Sequence, residues 1–138
     1  MTLESEVIMK LFVDCEKAYP LKDTMEGFLQ VIPIIGGTFE GKISGKVISG
    51  GADWNNQKAD QISFVSAKYV LCTDDGEYIG IENTGMIQWN SDAKIKTSPK
   101  FWADKNGKYA WLNSGVYVAS LDSGEKENQV KICIYRLL

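Results

Sequence analysis

Residues 62–83 read ISFVSAKYVLCTDDGEYIGIEN, and this stretch decides the fold. From Ile62 to Thr73, Val65, Ala67, Tyr69 and Leu71 fall on one parity, the two-residue period of a strand. Asp74-Asp75-Gly76 is a hairpin signal, because aspartate and glycine tolerate the backbone of a tight turn. Glu77 to Asn83 returns from it, and Gly85 is expected to end the returning strand.

The sequence on either side is built in the same way. Upstream, residues 36–54 (GGTFEGKISGKVISGGADW) carry six glycines, which predicts strands that kink or bulge at the corners of a small barrel. Leu3, Ser5, Val7, Met9, Leu11 and Val13 share a parity and predict a first strand. Between these, Asp14 to Gln30 is irregular and contains Pro20, so turns and one short helical piece are expected there. The polar run Asn55 to Asp60 reads as a loop. Downstream, Met86 to Thr97 is a weaker strand resting on Ile87, Trp89 and Ile95, and Pro99 marks a break or an edge. Asn106-Gly107 is a second turn, leading into a strand from Tyr109 to Ser120. Asp122 to Asn128 is a third turn before a last strand, Gln129 to Leu138. The sum is an all-β chain, a single domain over residues 1–138. The expected architecture is a closed antiparallel up-and-down β-barrel of about eight strands, with at most one short helix.

The last two strands are apolar on both parities. Ala110, Leu112, Val116 and Val118 oppose Tyr109, Trp111 and Tyr117, while Ile132 and Ile134 oppose Cys133, Tyr135 and Leu137. A barrel strand with one wet face should alternate. Two apolar faces call for a cover on the outside, and a homodimer is the expected one.

Composition narrows the function. Net charge is −3, from 15 basic and 18 acidic side chains, which argues against nucleic-acid binding through a cationic face. No apolar run approaches the ~18 residues of a membrane helix. The acidic N-terminal stretch does not resemble a secretory signal, so a cytoplasmic location away from any membrane is expected. Cys15, Cys72 and Cys133 are odd in number and widely spaced, which indicates neither a disulfide framework nor a zinc knuckle. There is no histidine, which excludes Ser–His–Asp and Cys–His catalysis and histidine metal sites. Gly45-Lys46 is followed by Val47, so the glycine-rich segment is not a phosphate loop. No cofactor and no metal are expected.

What remains is a set of polar residues among apolar ones. Asp53 beside Trp54 reads as a turn cap, or as an acid/base or ligand anchor whose pKa the indole shifts. Glu40 and Glu82 are weaker candidates. Asn113, on the parity of Trp111, reads as a ligand amide or as a partner of backbone groups at a bulge. Tyr69 reads as core with a hydroxyl available to a site. Arg136, if it faces inward, needs a carboxylate, with Asp53 or Glu82 as the expected partner.

Gly50-Gly51-Ala52-Asp53-Trp54, Thr73-Asp74-Asp75-Gly76 and Tyr109-Ala110-Trp111-Leu112-Asn113, in this order, resemble domain-of-unknown-function family 3237, also called uncharacterised protein family 0311. The resemblance runs from about Gly36 to the C-terminus. It implies a closed antiparallel barrel and no settled activity. The chain departs from the family pattern with Glu82 and Thr84 after the turn, and Lys100 after the proline, where relatives often carry arginine.

Three functions follow from these residues. The leading one is binding of a small, partly apolar molecule in the barrel interior or mouth, with Asp53, Trp54, Tyr69, Trp111, Asn113 and Arg136 as ligand contacts. The second is a cofactor-free isomerase, cyclase or lyase using Asp53 as acid/base, with catalysis itself left open. The third is a structural homodimer whose barrel is filled and has no pocket.

Overall fold

Alternation along Ile62–Thr73 is kept in three dimensions: Ser63, Val65, Tyr69, Leu71 and Thr73 are buried, while Phe64, Lys68 and Val70 face out. The computed structural model describes residues 1–58 and 61–138. Its strands are β1 (Ser5–Cys15), β2 (Tyr19–Thr24), β3 (Gly27–Gly41), β4 (Gly45–Lys58), β5 (Ile62–Thr73), β6 (Tyr78–Gln88), β7 (Ile95–Trp102), β8 (Tyr117–Ser123) and β9 (Gln129–Leu137). One 3-10 helix, Ala110–Asn113, lies between β7 and β8. Each strand pairs antiparallel in the order β1-β9-β8-β7-β6-β5-β4-β3-β2, and β1 also pairs with β3. That last ladder closes eight strands into a barrel and leaves β2 as an extra strand outside it.

Strand β3 makes this possible by changing partners. Its second half runs beside β1, from Ile34 opposite Cys15 to Gly41 opposite Met9. Its first half departs from β1 and pairs with β2. The closure is tight at Gly37, where φ is +135° and a Cβ would collide with the Phe12 carbonyl oxygen. Ile8, Met9, Leu11, Leu71, Ile79, Ile81, Leu112 and Ile134 fill the interior and are the largest fully buried side chains.

Five sequence expectations give way, the first being the single strand from Met86 to Thr97, whose ends belong to β6 (to Gln88) and β7 (from Ile95). Asp14–Gln30 holds no helix: Cys15 completes β1, and Tyr19–Thr24 forms a hairpin with the start of β3. Asn55–Lys58 is strand rather than loop, pairing with both β3 and β5, while residues 59 and 60 lie outside the described residues. Gly85 does not end β6, which continues to Gln88; the glycine sits opposite Val65 within the ladder and lets β7 come close, since a Cβ there would meet Thr97 and the Lys96 carbonyl. Residues 109–116 are not strand. The β7–β8 ladder covers only Ile95–Thr97 against Ala119–Leu121, and the 3-10 helix fills the gap where the two strands part. Pro99 sits in that gap, where its missing N–H removes no ladder bond to β8.

Among the described residues no helix is long and apolar enough to cross a membrane.

Candidate functional site

The barrel is not filled along its whole length. At the end where β1 stops and β9 begins, the interior opens into a cavity of about 260 Å³. Its walls are apolar, formed by Val13, Ile32, Ile34, Val65, Leu121 and Ile132 among others. Three polar side chains enter it from adjacent strands: Asp53 from β4, Tyr69 from β5 and Asn83 from β6. Cys15, Glu16, Asn128 and Gln129 stand among the remaining lining residues, where β1 ends and β9 starts.

A bulge places Asp53. Ile48 faces Val70 while Ala52 faces Lys68, so β4 advances four residues where β5 moves back two. The surplus is two, an even number, and the pleat therefore keeps its parity: Val47 points inward before the bulge, and Gly51 and Asp53 do so after it. Gly51 has a second role, since a Cβ there would collide with the Tyr69 Cβ. A side chain at position 51 would push Tyr69 off its present course.

The polar groups are thinly satisfied. Asp53 Oδ1 accepts a hydrogen bond from the Ser66 backbone N–H at 3.0 Å. Tyr69 Oη, Asn83 Oδ1 and, on β7, Thr97 Oγ1 are buried without a hydrogen-bond partner. Tyr69 and Asn83 are each only 3% exposed. A buried polar atom left unpaired costs roughly 1–3 kcal/mol, and two of these atoms, Tyr69 Oη and Asn83 Oδ1, belong to residues that line the cavity.

Electrostatics agree with the geometry. Burial raises the Asp53 pKa, and the Ser66 N–H only partly opposes it. Burial also raises the Tyr69 pKa, with Cys15 and Asp53 adding to it. The Cys15 thiol is pushed up to about 11 by burial, then by the charges of Asp53 and Asp14. That leaves it a poor nucleophile, since thiolate rather than thiol reacts.

Two of the six residues singled out from sequence meet in this cavity, Asp53 and Tyr69. Trp54, one residue from Asp53, points to the opposite face and is 51% exposed. Its indole is therefore not what shifts Asp53. Trp111, Asn113 and Arg136 lie at the other end of the barrel. There the Asn113 amide donates to the Ala103 carbonyl at 2.8 Å and accepts from the Ala103 N–H at 2.7 Å. It stands in for the missing β8 edge, the backbone-satisfying role and not the ligand one. Arg136 has the inward parity of Ile132 and Ile134, yet its partner is neither Asp53 nor Glu82; its guanidinium lies 5.7 Å from the Trp111 ring centroid. Glu40 is exposed, and Glu82 lies opposite Lys68 and Lys100 on the outer wall. Glu82, Thr84 and Lys100, which alternate with the inward-facing Ile81, Asn83 and Phe101, thus do not face the cavity.

Sequence reasoning passed over Asn83 and weighed Cys15 only as a disulfide or zinc candidate, yet both line the cavity. Asn83 shares the parity of Ile79 and Ile81, and a lone amide on an apolar parity was the available signal. Among the described residues, no three His, Cys, Asp or Glu side chains come together as metal ligands.

The profile of a protein family of unknown function, DUF3237, matches residues 3–137. The chain belongs to the DUF3237 family. The match starts far before Gly36, so β1 to β3 are part of the family fold and not an addition to it. A UPF0311 protein of Rhodopseudomonas palustris (strain TIE-1) is 33% identical over 153 residues, covering 99% of this chain and 98% of that protein. The solved structure of RPA1785 from Rhodopseudomonas palustris, a conserved protein of unknown function, is 25% identical with a TM-score of 0.87 over 100% of this chain and 99% of that one. A β-barrel-like protein, ABAYE2633 from Acinetobacter baumannii AYE, is 28% identical with a TM-score of 0.86 over 100% and 98% of the two chains. This DUF3237 chain therefore shares the closed barrel with solved relatives along its whole length.

Proposed function

We propose that this DUF3237 protein binds a small, partly apolar molecule in the cavity at the β1/β9 end of its barrel. The observation that carries the reading is the pair of buried, unpartnered polar atoms, Tyr69 Oη and Asn83 Oδ1, on residues lining an apolar-walled space beside the half-buried Asp53 carboxyl group. Apolar walls supply affinity, and a few converging polar atoms fix orientation. Eight strands enclose room for one small ligand and not a channel.

A second reading keeps the same residues. Asp53, its pKa raised by burial and its Oδ1 held by Ser66, is placed to take or give a proton to a bound molecule, as a cofactor-free acid/base would. Asp53→Asn separates the two: binding retained with turnover lost supports catalysis, and loss of neither removes Asp53 from the chemistry.

The proposal includes a homodimer. Val7 (41% exposed) on β1, Val116 (60%) just before β8, and the half-buried Val118, Tyr135 and Leu137 on β8 and β9 form an apolar outer face. A second copy would cover it. Native mass spectrometry of protein purified from its own source tests both claims together. The expected result is a dimer of 15.4 kDa chains carrying one additional small mass per chain. In an Ala67→Leu variant, whose larger side chain intrudes on the cavity, the dimer should persist and the added mass should vanish. A monomer contradicts the dimer; an added mass that survives Ala67→Leu contradicts the cavity as its seat.

A further inference from the structure

Each residue lining the cavity can be sorted by the charge it brings. Asp53 and Glu16 are acids, and no lysine or arginine is among the lining residues. Asp14 adds a third acid nearby, its Oδ1 accepting from Gln129 Nε2 at 2.8 Å. Three cations on the barrel strands are placed elsewhere: Lys68 and Lys100 are on the outer wall near Trp102, and Arg136 is at the far end over Trp111. Among the described residues, neither of the two ion pairs, Lys42–Glu6 and Lys108–Asp75, involves Asp53, Glu16 or Asp14.

The unpartnered atoms inside can all act as acceptors, although the Tyr69 hydroxyl and the Asn83 Nδ2 can also donate. The Asp53 carboxylate and Asn83 Oδ1 accept only, and the Tyr69 hydroxyl can accept. An anionic ligand would bring a second negative charge against a carboxylate with no counter-ion, in a medium that screens poorly. A primary ammonium is the complement: three N–H donors, no acceptor, and a compact positive charge. Asp53 is already desolvated by the fold, so the partner's charge meets a carboxylate whose own burial cost belongs to folding and not to binding.

We propose that the cavity selects a small hydrophobic amine, its ammonium held by Asp53, Tyr69 and Asn83 and its hydrocarbon part against Ile32, Val65 and Ile132. The inference rests on the reading that this cavity binds a ligand, and it adds the sign of the ligand's charge.

The test uses three probes with one ring and different head groups: cyclohexylamine, cyclohexanol and cyclohexanecarboxylate. Each is titrated into the full-length protein at neutral pH and followed by backbone amide NMR. The expected result is saturable shifts at Ala67 and Asn83, with the amine tighter than the alcohol by about tenfold and the carboxylate inert. In Asp53→Asn, which can still accept from Ser66, the amine-over-alcohol ratio should fall to near one. Equal or tighter binding of the alcohol or carboxylate to the wild-type protein overturns the amine inference while leaving cavity binding standing. So does an amine preference that survives Asp53→Asn. Shifts at Ala67 and Asn83 with none of the three probes overturn the cavity reading itself.

Discussion

Tyr69 and Asp53 are residues whose removal should separate stability from function. The Tyr69 hydroxyl is buried without a partner, so Tyr69→Phe deletes a desolvated group and keeps the ring. The expected outcome in urea unfolding is equal or greater stability, by up to about 1 kcal/mol, with weaker ligand binding. A loss of stability of that size would show the hydroxyl to be structural. Asp53 predicts a pH dependence. Its pKa is raised above the unfolded value of 3.8, so the native state holds this proton more tightly than the unfolded chain. The resulting stability is full below about 3.8 and is lost as pH rises through the native value. Asp75 works in the other direction: hydrogen bonds from Thr73 and Tyr109 hold its pKa down at about 2, so its contribution is lost as pH falls. Comparing Asp53→Asn with wild type isolates the first. The variant should melt higher at neutral pH, and its advantage should shrink as pH falls toward 3.8. Parallel melting curves across that range would place Asp53 in solvent.

At the scale of elements, glycines decide where the barrel closes. Gly37 combines a φ of +135° with a Cβ position that would strike the Phe12 carbonyl, whereas Gly50 has a φ of +120° and open space around it. Gly37→Ala should therefore cost more than Gly50→Ala, which carries only the backbone strain of roughly 1–3 kcal/mol. Denaturant midpoints of the two variants check this, and equal losses would contradict the close β1–β3 approach. The same elements show what was legible in sequence. β5 and its DDG turn were read to the residue because one face is buried and the other wet, so hydrophobicity alternates. β2 was missed because it is an exposed edge strand with no core face, and it carries Pro20. Residues 110–113 were read as strand because four residues are too few to tell a 3-10 turn from a strand by hydrophobic period alone. Pro99 and Asn113 are the traces of that gap: one removes an N–H where β8 is absent, the other replaces the absent strand.

At the scale of the molecule, closure depends on β3 dividing one of its edges between β1 and β2 while the other stays with β4, a division that no local pattern announces. For the same reason the site was only half legible. Asp53 and Tyr69 could be picked out as polar groups in apolar surroundings, but which polar residues share a space depends on bulges and register. Those set Trp54 outside and Asn83 inside, and separated Arg136 from Asp53 by the length of the barrel. The two ends are consequently different in kind. One is closed by the 3-10 helix, Trp111 and the Asp75–Tyr109 hydrogen bond of 2.8 Å. The other holds unsatisfied polar atoms over an apolar floor. The most direct test of this account is a high-resolution crystal structure of the protein isolated from its own source. The account predicts density for a small molecule in the β1/β9 cavity, within hydrogen-bonding distance of Tyr69 Oη and Asn83 Oδ1. A cavity closed by rotated side chains, with those two atoms bonded to other protein groups, would contradict it.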